Sequence, residues 1–249
     1  MSLETILMPA ELPALARRDL RGTACVVFDI LRATSTFVTA LHHGAKAIIP
    51  VCEIAEAVAI RRQRPDVLLA GERDGVKIRA ALSGGIDFDF GNSPREFTPA
   101  LVRGKTLVST TTNGTRALRA CAGAKTVLAA SFLNLAATAA FLRDEKEILL
   151  VCAGTGENPA SEDINAAGAL VSLLLENKDA PPKISASAHV AKTAFEVARD
   201  HFPNAIRNSQ NGRRLLAIPE LRDDVAFCAQ RDVFNLVAVM QPDGSLRRR

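Results

Sequence analysis

Residues 24–42 read ACVVFDILRATSTFVTALH, and this stretch decides the class of fold. Its first part is an apolar run broken only by Asp29, its middle is a turn rich in hydroxyl groups, and its end has apolar residues at helical spacing. This pattern predicts a buried strand over Ala24–Ile30 followed by a helix over Thr34–His42.

The same alternation continues along the chain. Further strands are predicted at Ala47–Val51, Val67–Gly71, Thr106–Ser109, Thr126–Ala130, Glu147–Cys152 and Leu236–Met240. Further helices are predicted at Ile54–Gln63, Thr115–Cys121, Leu133–Leu142, Ser161–Glu176 and Ser185–Phe202, with a proline-containing break at Glu176–Lys183. Strands that alternate with helices imply an α/β fold with three layers (α/β/α) around a largely parallel or mixed sheet.

At 249 residues the chain is long enough for one large domain, and we expect a single domain over residues 1–249. Two stretches resemble each other, Val26–Thr36 and Leu107–Leu118. Each is an apolar strand, a hydroxyl-rich turn and the start of a helix that carries an arginine. This echo predicts two similar lobes, residues 1–104 and 105–249, around a shared cleft. Two unrelated stretches that both bind anions would look the same.

Composition argues against several classes of partner. The chain has no Trp and no Tyr, so the aromatic platforms that bind single-stranded nucleic acid are scarce. Five scattered cysteines without a C-x-x-C pair fit a reducing cytoplasm. The longest uncharged run, Thr126–Leu142, has 17 residues, fewer than the roughly 20 that span a bilayer, and no signal peptide is recognised. We therefore expect a cytoplasmic protein that binds neither nucleic acid nor a membrane. Part of its net charge of +4 comes from Arg247–Arg249, interpreted as a frayed, solvated tail.

The residues expected to carry chemistry follow four of the predicted strands. Ligands of open α/β sheets bind beyond the carboxyl ends of the strands. The loops there carry hydroxyl groups, cations and carboxylates: Asp29, Arg32 and Thr34–Thr36; Glu72, Arg73 and Lys77; Thr110–Arg116; and Gly154–Gly156 with Glu162 and Asp163. Hydroxyl-rich turns at helix N-termini and arginines favour a phosphate, and carboxylates beside a phosphate favour an intervening Mg²⁺. Taken singly, each turn could instead be a Ser/Thr helix cap.

Several motifs stand out in chain order: VFDILRATST (27–36), AGER (70–73) with Lys77-Ile78, FGNSP (90–94), TTTNGTRAL (110–118), SFLN (131–134), and CAGT (152–155) with Glu162-Asp163. Together they resemble the 2-phosphosulfolactate phosphatase family over roughly residues 5–240. The resemblance implies a Mg²⁺-dependent acid phosphatase that converts 2-phospho-3-sulfolactate to 3-sulfolactate and phosphate, a step that serves coenzyme M synthesis in methane-forming organisms. One departure lies at Ala160-Ser161, where relatives usually carry Ser-Leu.

Under this hypothesis the residues divide by role. Asp29, Arg32 and Glu72 would be catalytic, and Mg²⁺ would bind Asp29 and Glu72 with Asp163 or Glu162 as a third ligand. The phosphoryl group would be held by Arg32 and by two turns, Thr34, Ser35 and Thr36, and Thr111, Thr112, Asn113, Gly114, Thr115 and Arg116. The substrate's carboxylate and sulfonate would meet Arg73, Lys77, Asn92 and Ser93. Either water attacks the phosphorus directly, or Asp29 forms a phospho-enzyme.

Two other functions stay open. A general phosphatase for other 2-phosphorylated hydroxy acids, such as phospholactate, would use the same residues. A non-catalytic module that binds small acids would need the cations and hydroxyl groups but not Asp29 and Glu72, whose presence favours an enzyme. The expected partner is a small phosphorylated acid, and formation of a homo-oligomer is left open.

Overall fold

The computed structural model describes residues 1–15, 17–176 and 182–249. Its strands are β1 (Ser2–Ile6), β2 (Thr23–Phe28), β3 (Ala47–Pro50), β4 (Leu68–Arg73), β5 (Val76–Lys77), β6 (Thr106–Thr110), β7 (Thr126–Ala130), β8 (Glu147–Cys152), β9 (Lys183–Ile184), β10 (Ala238–Met240) and β11 (Leu246–Arg248). Its α-helices are α1 (Leu12–Leu15), α2 (Ala33–His42), α3 (Ile54–Gln63), α4 (Ala80–Ser83), α5 (Pro99–Val102), α6 (Gly114–Ala120), α7 (Leu135–Phe141), α8 (Ser161–Leu175), α9 (Ala186–Ala198), α10 (Phe202–Asn208), α11 (Gln210–Leu216) and α12 (Arg222–Cys228).

The predicted α/β class is confirmed, and each of the seven predicted strands is present. Strands β2 and β10 each fall two residues short of the prediction at one end, because side chains bind the backbone groups there. After Phe28, the Asp29 N–H donates to Thr34 Oγ1 at 3.0 Å and the Ile30 N–H donates to Asp163 Oδ1 at 2.8 Å, so β2 cannot continue its ladder. At the other end of the chain, the Leu236 carbonyl accepts from Asn134 Nδ2, and β10 begins only at Ala238. The break predicted at Glu176–Lys183 lies largely outside the described residues.

Four of the described strands were not predicted: the two-residue strands β5 and β9, and β1 and β11 near the two ends of the chain. Strand β1 pairs in parallel with β8 and with β9. Strand β11 is antiparallel to β10 and to β3, and Arg249 exchanges two backbone hydrogen bonds with Val237. The interpretation of Arg247–Arg249 as a frayed tail is therefore wrong: the backbone donors and acceptors of these residues complete the middle of the sheet.

The sheet order is β5-β4-β6-β3-β11-β10-β7-β2-β8-β1-β9. Strands β4, β6 and β3 are parallel to one another, as are β7, β2, β8, β1 and β9. The hairpin β10–β11 between the two sets is antiparallel to each, so the sets run in opposite directions. Counted toward the hairpin, β4, β6 and β3 take the same positions in one set as β8, β2 and β7 take in the other. The middle strand of each of these triplets is followed by a helix, α6 after β6 and α2 after β2. Whether residues 1–104 and 105–249 are separate lobes stays a prediction.

Helices cover both faces of the sheet, which gives the three layers. On one face α2 and α6 share a core with both sets of strands. This core includes Phe37 of α2, Leu118 of α6, Val27 of β2 and Leu107 of β6. The opposite face carries two cores, one under α8 and α9 and a smaller one under α3. Helix α2 contacts β7, β10, β11, β3 and α6, so it crosses the central hairpin and brings its first turn to the start of α6. The site described next is formed where these two helices begin.

The stretch Thr126–Leu142 divides between β7 and α7. Within the described ranges, no helix combines the length and apolar character needed to span a bilayer.

Candidate active site

A cavity of about 300 Å³ lies among the loops that follow β2, β4, β6 and β8, with helix α11 completing its wall. Its lining residues are Asp29, Leu31, Arg32, Glu72, Asp74, Gly75, Asn92, Thr112, Asn113, Gly154, Thr155, Gly156, Asn211, Arg214 and Leu215. The loops after four predicted strands therefore meet at one place, although their strands belong to two sets that run in opposite directions.

Asp29 is held at the start of α2 by that helix's own backbone. The Ala33 N–H donates to Asp29 Oδ1 at 3.1 Å, and the Thr34 N–H donates to the Asp29 carbonyl at 2.9 Å. The second carboxylate oxygen lies against the first residue of α6: a Cβ added to Gly114 would stand 2.6 Å from Asp29 Oδ2 and 2.7 Å from Ala33 Cβ. Only a glycine at position 114 lets the two helix starts approach this closely.

The Asp29 carboxyl has an unusual charge environment. Its pKa is raised to about 7, mainly because burial removes water from the carboxylate. The negative charges of Glu72 and Glu162 contribute to this rise, whereas the Ala33 hydrogen bond and the charge of Arg32 act in the opposite direction. A cluster of negative charge that raises a carboxyl pKa in a cavity is typical of a functional site, because it favours binding of a cation or a proton.

Glu72 is buried and lies within hydrogen-bonding distance of the turn after β6. Its Oε1 accepts from the Thr112 N–H at 2.8 Å and from Thr112 Oγ1 at 3.0 Å, and its Oε2 accepts from the Gly75 N–H at 2.7 Å. A carboxylate offers about four lone-pair sites, so Glu72 keeps about one and Asp29 keeps about three for another ligand. Two carboxylates with spare oxygen lone pairs fit Mg²⁺, which binds one or two protein carboxylates and completes its shell with water and phosphate.

Asp163 does not line the cavity. Its Oδ1 accepts from the Ile30 N–H at 2.8 Å and its Oδ2 accepts from the Gly154 N–H at 3.0 Å, so it ties the loop after β2 to the loop after β8. Burial and the charges of Glu162 and Asp29 hold its pKa well above the ordinary value. Within the described ranges no three His, Cys, Asp or Glu side chains are placed to hold a metal ion together. The structure therefore brings Asp29 and Glu72 to the cavity, whereas Asp163 is buried outside its lining.

Glu162, the alternative third ligand, also lies outside the cavity lining, with only 1% of its surface exposed. Its Oε1 accepts from Asn211 Nδ2 at 2.7 Å, while its Oε2 is buried without a hydrogen-bond partner. The same Asn211 amide donates to Thr155 Oγ1 at 2.6 Å. Glu162 therefore fixes Asn211, which itself lines the cavity, and adds to the negative charge near Asp29.

Arg32 lines the cavity as predicted, and two hydrogen bonds to the protein fix its guanidinium. Its Nη1 donates to Asp224 Oδ2 at 2.7 Å, with both side chains almost fully buried, and its Nη2 donates to the Gly75 carbonyl at 2.7 Å. Asp224 also accepts from Ser93 Oγ at 2.7 Å. A guanidinium has five N–H donors, and these two hydrogen bonds use two of them. The others can bind a phosphate, in an orientation that is set by Asp224.

The hydroxyl groups predicted to hold phosphate are mostly used inside the protein. Thr34 Oγ1 donates to the Asp29 carbonyl, Ser35 Oγ to the Ile30 carbonyl and Thr36 Oγ1 to the Asn92 carbonyl, and none of the three residues lines the cavity. In the second turn, Thr111 and Thr115 bond each other, and Gly114 packs against Asp29. Thr112 and Asn113 do line the cavity, and Asn113 Nδ2 donates to the Ala153 and Gly156 carbonyls.

Of the four residues predicted to meet the carboxylate and sulfonate, Asn92 alone lines the cavity. Arg73 donates to the carbonyls of Glu72 and Cys52 and to Thr110 Oγ1, and Lys77 Nζ donates to the Asp89 carbonyl at 2.6 Å. Ser93 Oγ donates to Asp224, the ion-pair partner of Arg32. Arg116 is exposed and lines a neighbouring hollow that shares Asn113 and Gly156 with the cavity. The roles predicted for these residues stay predictions.

Sequence reasoning missed one side of the cavity. Asp74 and Gly75 belong to the turn between β4 and β5, and Asn211, Arg214 and Leu215 lie on one face of α11. The spacing of three and four residues could have shown that this face is shared, but nothing local in sequence connects it to Asp29.

Comparison with known proteins agrees with these motifs. A family model described as 2-phosphosulpholactate phosphatase matches residues 9–243. A protein of Thermotoga maritima named probable 2-phosphosulfolactate phosphatase is 38% identical over 215 residues, which cover 86% of this chain and 88% of that protein. Proteins with the same name from Caldanaerobacter subterraneus (38% over 225 residues, 88% of each chain) and Carboxydothermus hydrogenoformans (35% over 249 residues, 99% of this chain and 94% of that one) are also similar. The chain belongs to the 2-phosphosulfolactate phosphatase family.

Proposed function

We propose that this protein hydrolyses 2-phospho-3-sulfolactate to 3-sulfolactate and phosphate, and that the reaction requires Mg²⁺. The observation that carries the proposal is the placement of Asp29, with a pKa raised to about 7, in one cavity with Glu72 and Arg32. Family membership supports the reaction class and the substrate.

Asp29 and Glu72 would hold the metal, because both line the cavity and both keep oxygen lone pairs free. When bound, Mg²⁺ would neutralise negative charge on the phosphoryl oxygens and on the leaving oxygen. Asp163 and Glu162 would act indirectly, by fixing the loops after β2 and β8 and by adding negative charge that favours a cation.

Arg32 would bind the phosphoryl group with its free donors and stabilise the charge that this group carries in the transition state. The buried Asp224 keeps the guanidinium in place, so little reorganisation is needed when substrate binds. Asp29 then has two chemically distinct roles open to it. Either its free Oδ2 attacks the phosphorus and displaces the ester oxygen, which leaves as the protonated hydroxy acid, and water then hydrolyses the aspartyl phosphate; or the carboxylate orients a water molecule that displaces the same oxygen in line.

Phosphate release by the full chain tests the proposal. Chelator-treated protein would be assayed with and without Mg²⁺ on 2-phosphosulfolactate, phospholactate and glycerol 2-phosphate. We expect activity only with the metal and the highest kcat/KM for 2-phosphosulfolactate. Full activity after rigorous chelation would contradict the metal requirement, and equal efficiency on the three esters would contradict the substrate.

A further inference from the structure

In the part of the chain that the structure describes, two cationic side chains line the cavity, Arg32 and Arg214. They differ in the burial of their ion pairs. Arg32 is buried against Asp224, whose side chain is fully buried. Arg214 has 47% of its side chain exposed, and its ion-pair partner Asp74 is 3.8 Å away and 96% exposed. Solvent screens an ion pair of this kind, so it holds Arg214 only weakly. Arg214 can therefore exchange its partner for an incoming anion, whereas Arg32 cannot.

Helix α11 directs Arg214 to the cavity. Asn211, Arg214 and Leu215 line it together, and their spacing of three and four residues places them on one helix face. The neighbouring Arg213 donates instead to the Asn208 carbonyl and does not line the cavity.

The start of α11 is anchored on two sides, so its cavity-lining face has a defined position. Ser209 Oγ accepts from the Gly212 N–H at 3.0 Å as a helix cap. Asn211 is bound to the loop after β8 through Thr155 and to α8 through Glu162.

The guanidinium of Arg214 lies on the turn between β4 and β5. It donates to the Asp74 carbonyl, and a Cβ added to Gly75 would stand 4.0 Å from its Cζ and Nη2. The same Gly75 accepts from Arg32 through its carbonyl and donates to Glu72 through its N–H. The turn therefore connects Arg214 to the two groups proposed to bind phosphate and metal.

We infer that Arg214 binds the non-phosphate anion of the substrate, a carboxylate or sulfonate, while the phosphoryl group binds at Arg32 and Asp29; this rests on the proposed function. A guanidinium presents forked donors that match the oxygens of such groups in pairs. Arg73 and Lys77, predicted for this role from the sequence, do not line the cavity and donate to backbone carbonyls. Arg214 is thus the residue that distinguishes an anionic ester from a neutral one.

The test compares Arg214→Gln and Arg214→Lys with Arg213→Gln, a matched control on the same helix. Each is assayed on 2-phosphosulfolactate and on glycerol 2-phosphate, a secondary phosphate ester with two neutral arms. We expect Arg214→Gln to lower kcat/KM for the anionic ester by on the order of ten- to a hundredfold, mainly through KM, because the contact does not change during the reaction. Its effect on the neutral ester should be less than about threefold. Arg214→Lys should recover part of the loss, and Arg213→Gln should match the wild type.

An equal loss on both esters, or no loss on either, would overturn the inference while leaving the proposed function intact. If the wild type does not hydrolyse 2-phosphosulfolactate, the proposed function fails, and titration calorimetry with 3-sulfolactate decides the inference alone. Binding weakened by Arg214→Gln but not by Arg213→Gln supports it; binding that is absent or insensitive to Arg214 overturns it.

Discussion

Replacing Asp29 by Asn should stabilise the metal-free protein at alkaline pH while it abolishes function. The folded protein raises the pKa of Asp29 from 3.8 to about 7, because burial and the charges of Glu72 and Glu162 disfavour the carboxylate. Ionisation of Asp29 therefore costs folding free energy that an uncharged Asn does not incur.

The magnitude follows from this shift. A change from 3.8 to about 7 is about three pKa units, equivalent to about 4 kcal/mol at 1.36 kcal/mol per unit. Asp29 is partly exposed at the cavity, so solvent screening reduces the expected effect to about 2 kcal/mol. The penalty is absent below the unfolded pKa of 3.8, grows as pH rises, and is complete above about pH 7.

Urea denaturation in the presence of a chelator measures the effect. The free energy of unfolding of Asp29→Asn should equal that of the wild type near about pH 4 and exceed it by about 2 kcal/mol at about pH 8. Asp144→Asn, at an exposed aspartate, is the control and should show no such pH dependence. A variant that is equally stable at both pH values, or less stable than the wild type at the higher one, would refute this account of the cavity's charge.

Mg²⁺ extends the same experiment. A cation bound by Asp29 and Glu72 offsets the repulsion between their negative charges. Added Mg²⁺ should therefore raise the free energy of unfolding of the wild type more than that of Asp29→Asn, and so reduce the difference between the two proteins. Equal stabilisation of the two proteins would show that Asp29 does not bind the metal.

Two further substitutions test the positioning of the cavity groups. Gly114→Ala should lower kcat/KM by about a hundredfold, because its Cβ would stand 2.6 Å from Asp29 Oδ2 and must displace the carboxylate. Asp224→Asn should lower the free energy of unfolding by about 3 kcal/mol, measured by urea denaturation, because it leaves the buried Arg32 guanidinium without its counter-charge.

Each substitution has a control nearby. Gly123→Ala adds a Cβ where no atom lies within 4 Å, and Asp223→Asn alters an aspartate that is 72% exposed. Both should behave as the wild type. Activity retained by Gly114→Ala would show that the contact with Asp29 is not needed, and an unchanged stability of Asp224→Asn would show that the buried pair contributes little.

Local patterns predicted the centre of this fold well. The bounds of α3, β7 and β8 agree with the predicted ones, because long apolar runs and regular helical spacing mark these elements strongly. Helices α10, α11 and α12 have seven residues each, as α6 and α7 do, but they follow one another without a strand between them, so no alternation of strand and helix marks their bounds. Strand β1 has five residues, and its partners, β8 and β9, lie far away in the chain.

The residues of the candidate site also differ in how well the sequence predicts them. Asp29, Arg32 and Glu72 line the cavity as expected, because they follow or end strands, and the ends of strands are where α/β sheets bind ligands. Arg73 does not line the cavity, because adjacent residues in a strand point to opposite faces and the cavity receives Glu72. Arg214 was missed because about 140 residues separate it from Asp74, and only the tertiary fold brings them together.

Whether this cavity is the active site is tested most directly by the rate of phosphate release from 2-phosphosulfolactate by the wild type and by Asp29→Asn, both in Mg²⁺. We expect turnover by the wild type and a loss on the order of a thousandfold or more in the variant, since a ligand or nucleophile is removed. The circular dichroism spectra of the two proteins should coincide. Wild-type turnover by Asp29→Asn would contradict the assignment of this cavity as the active site.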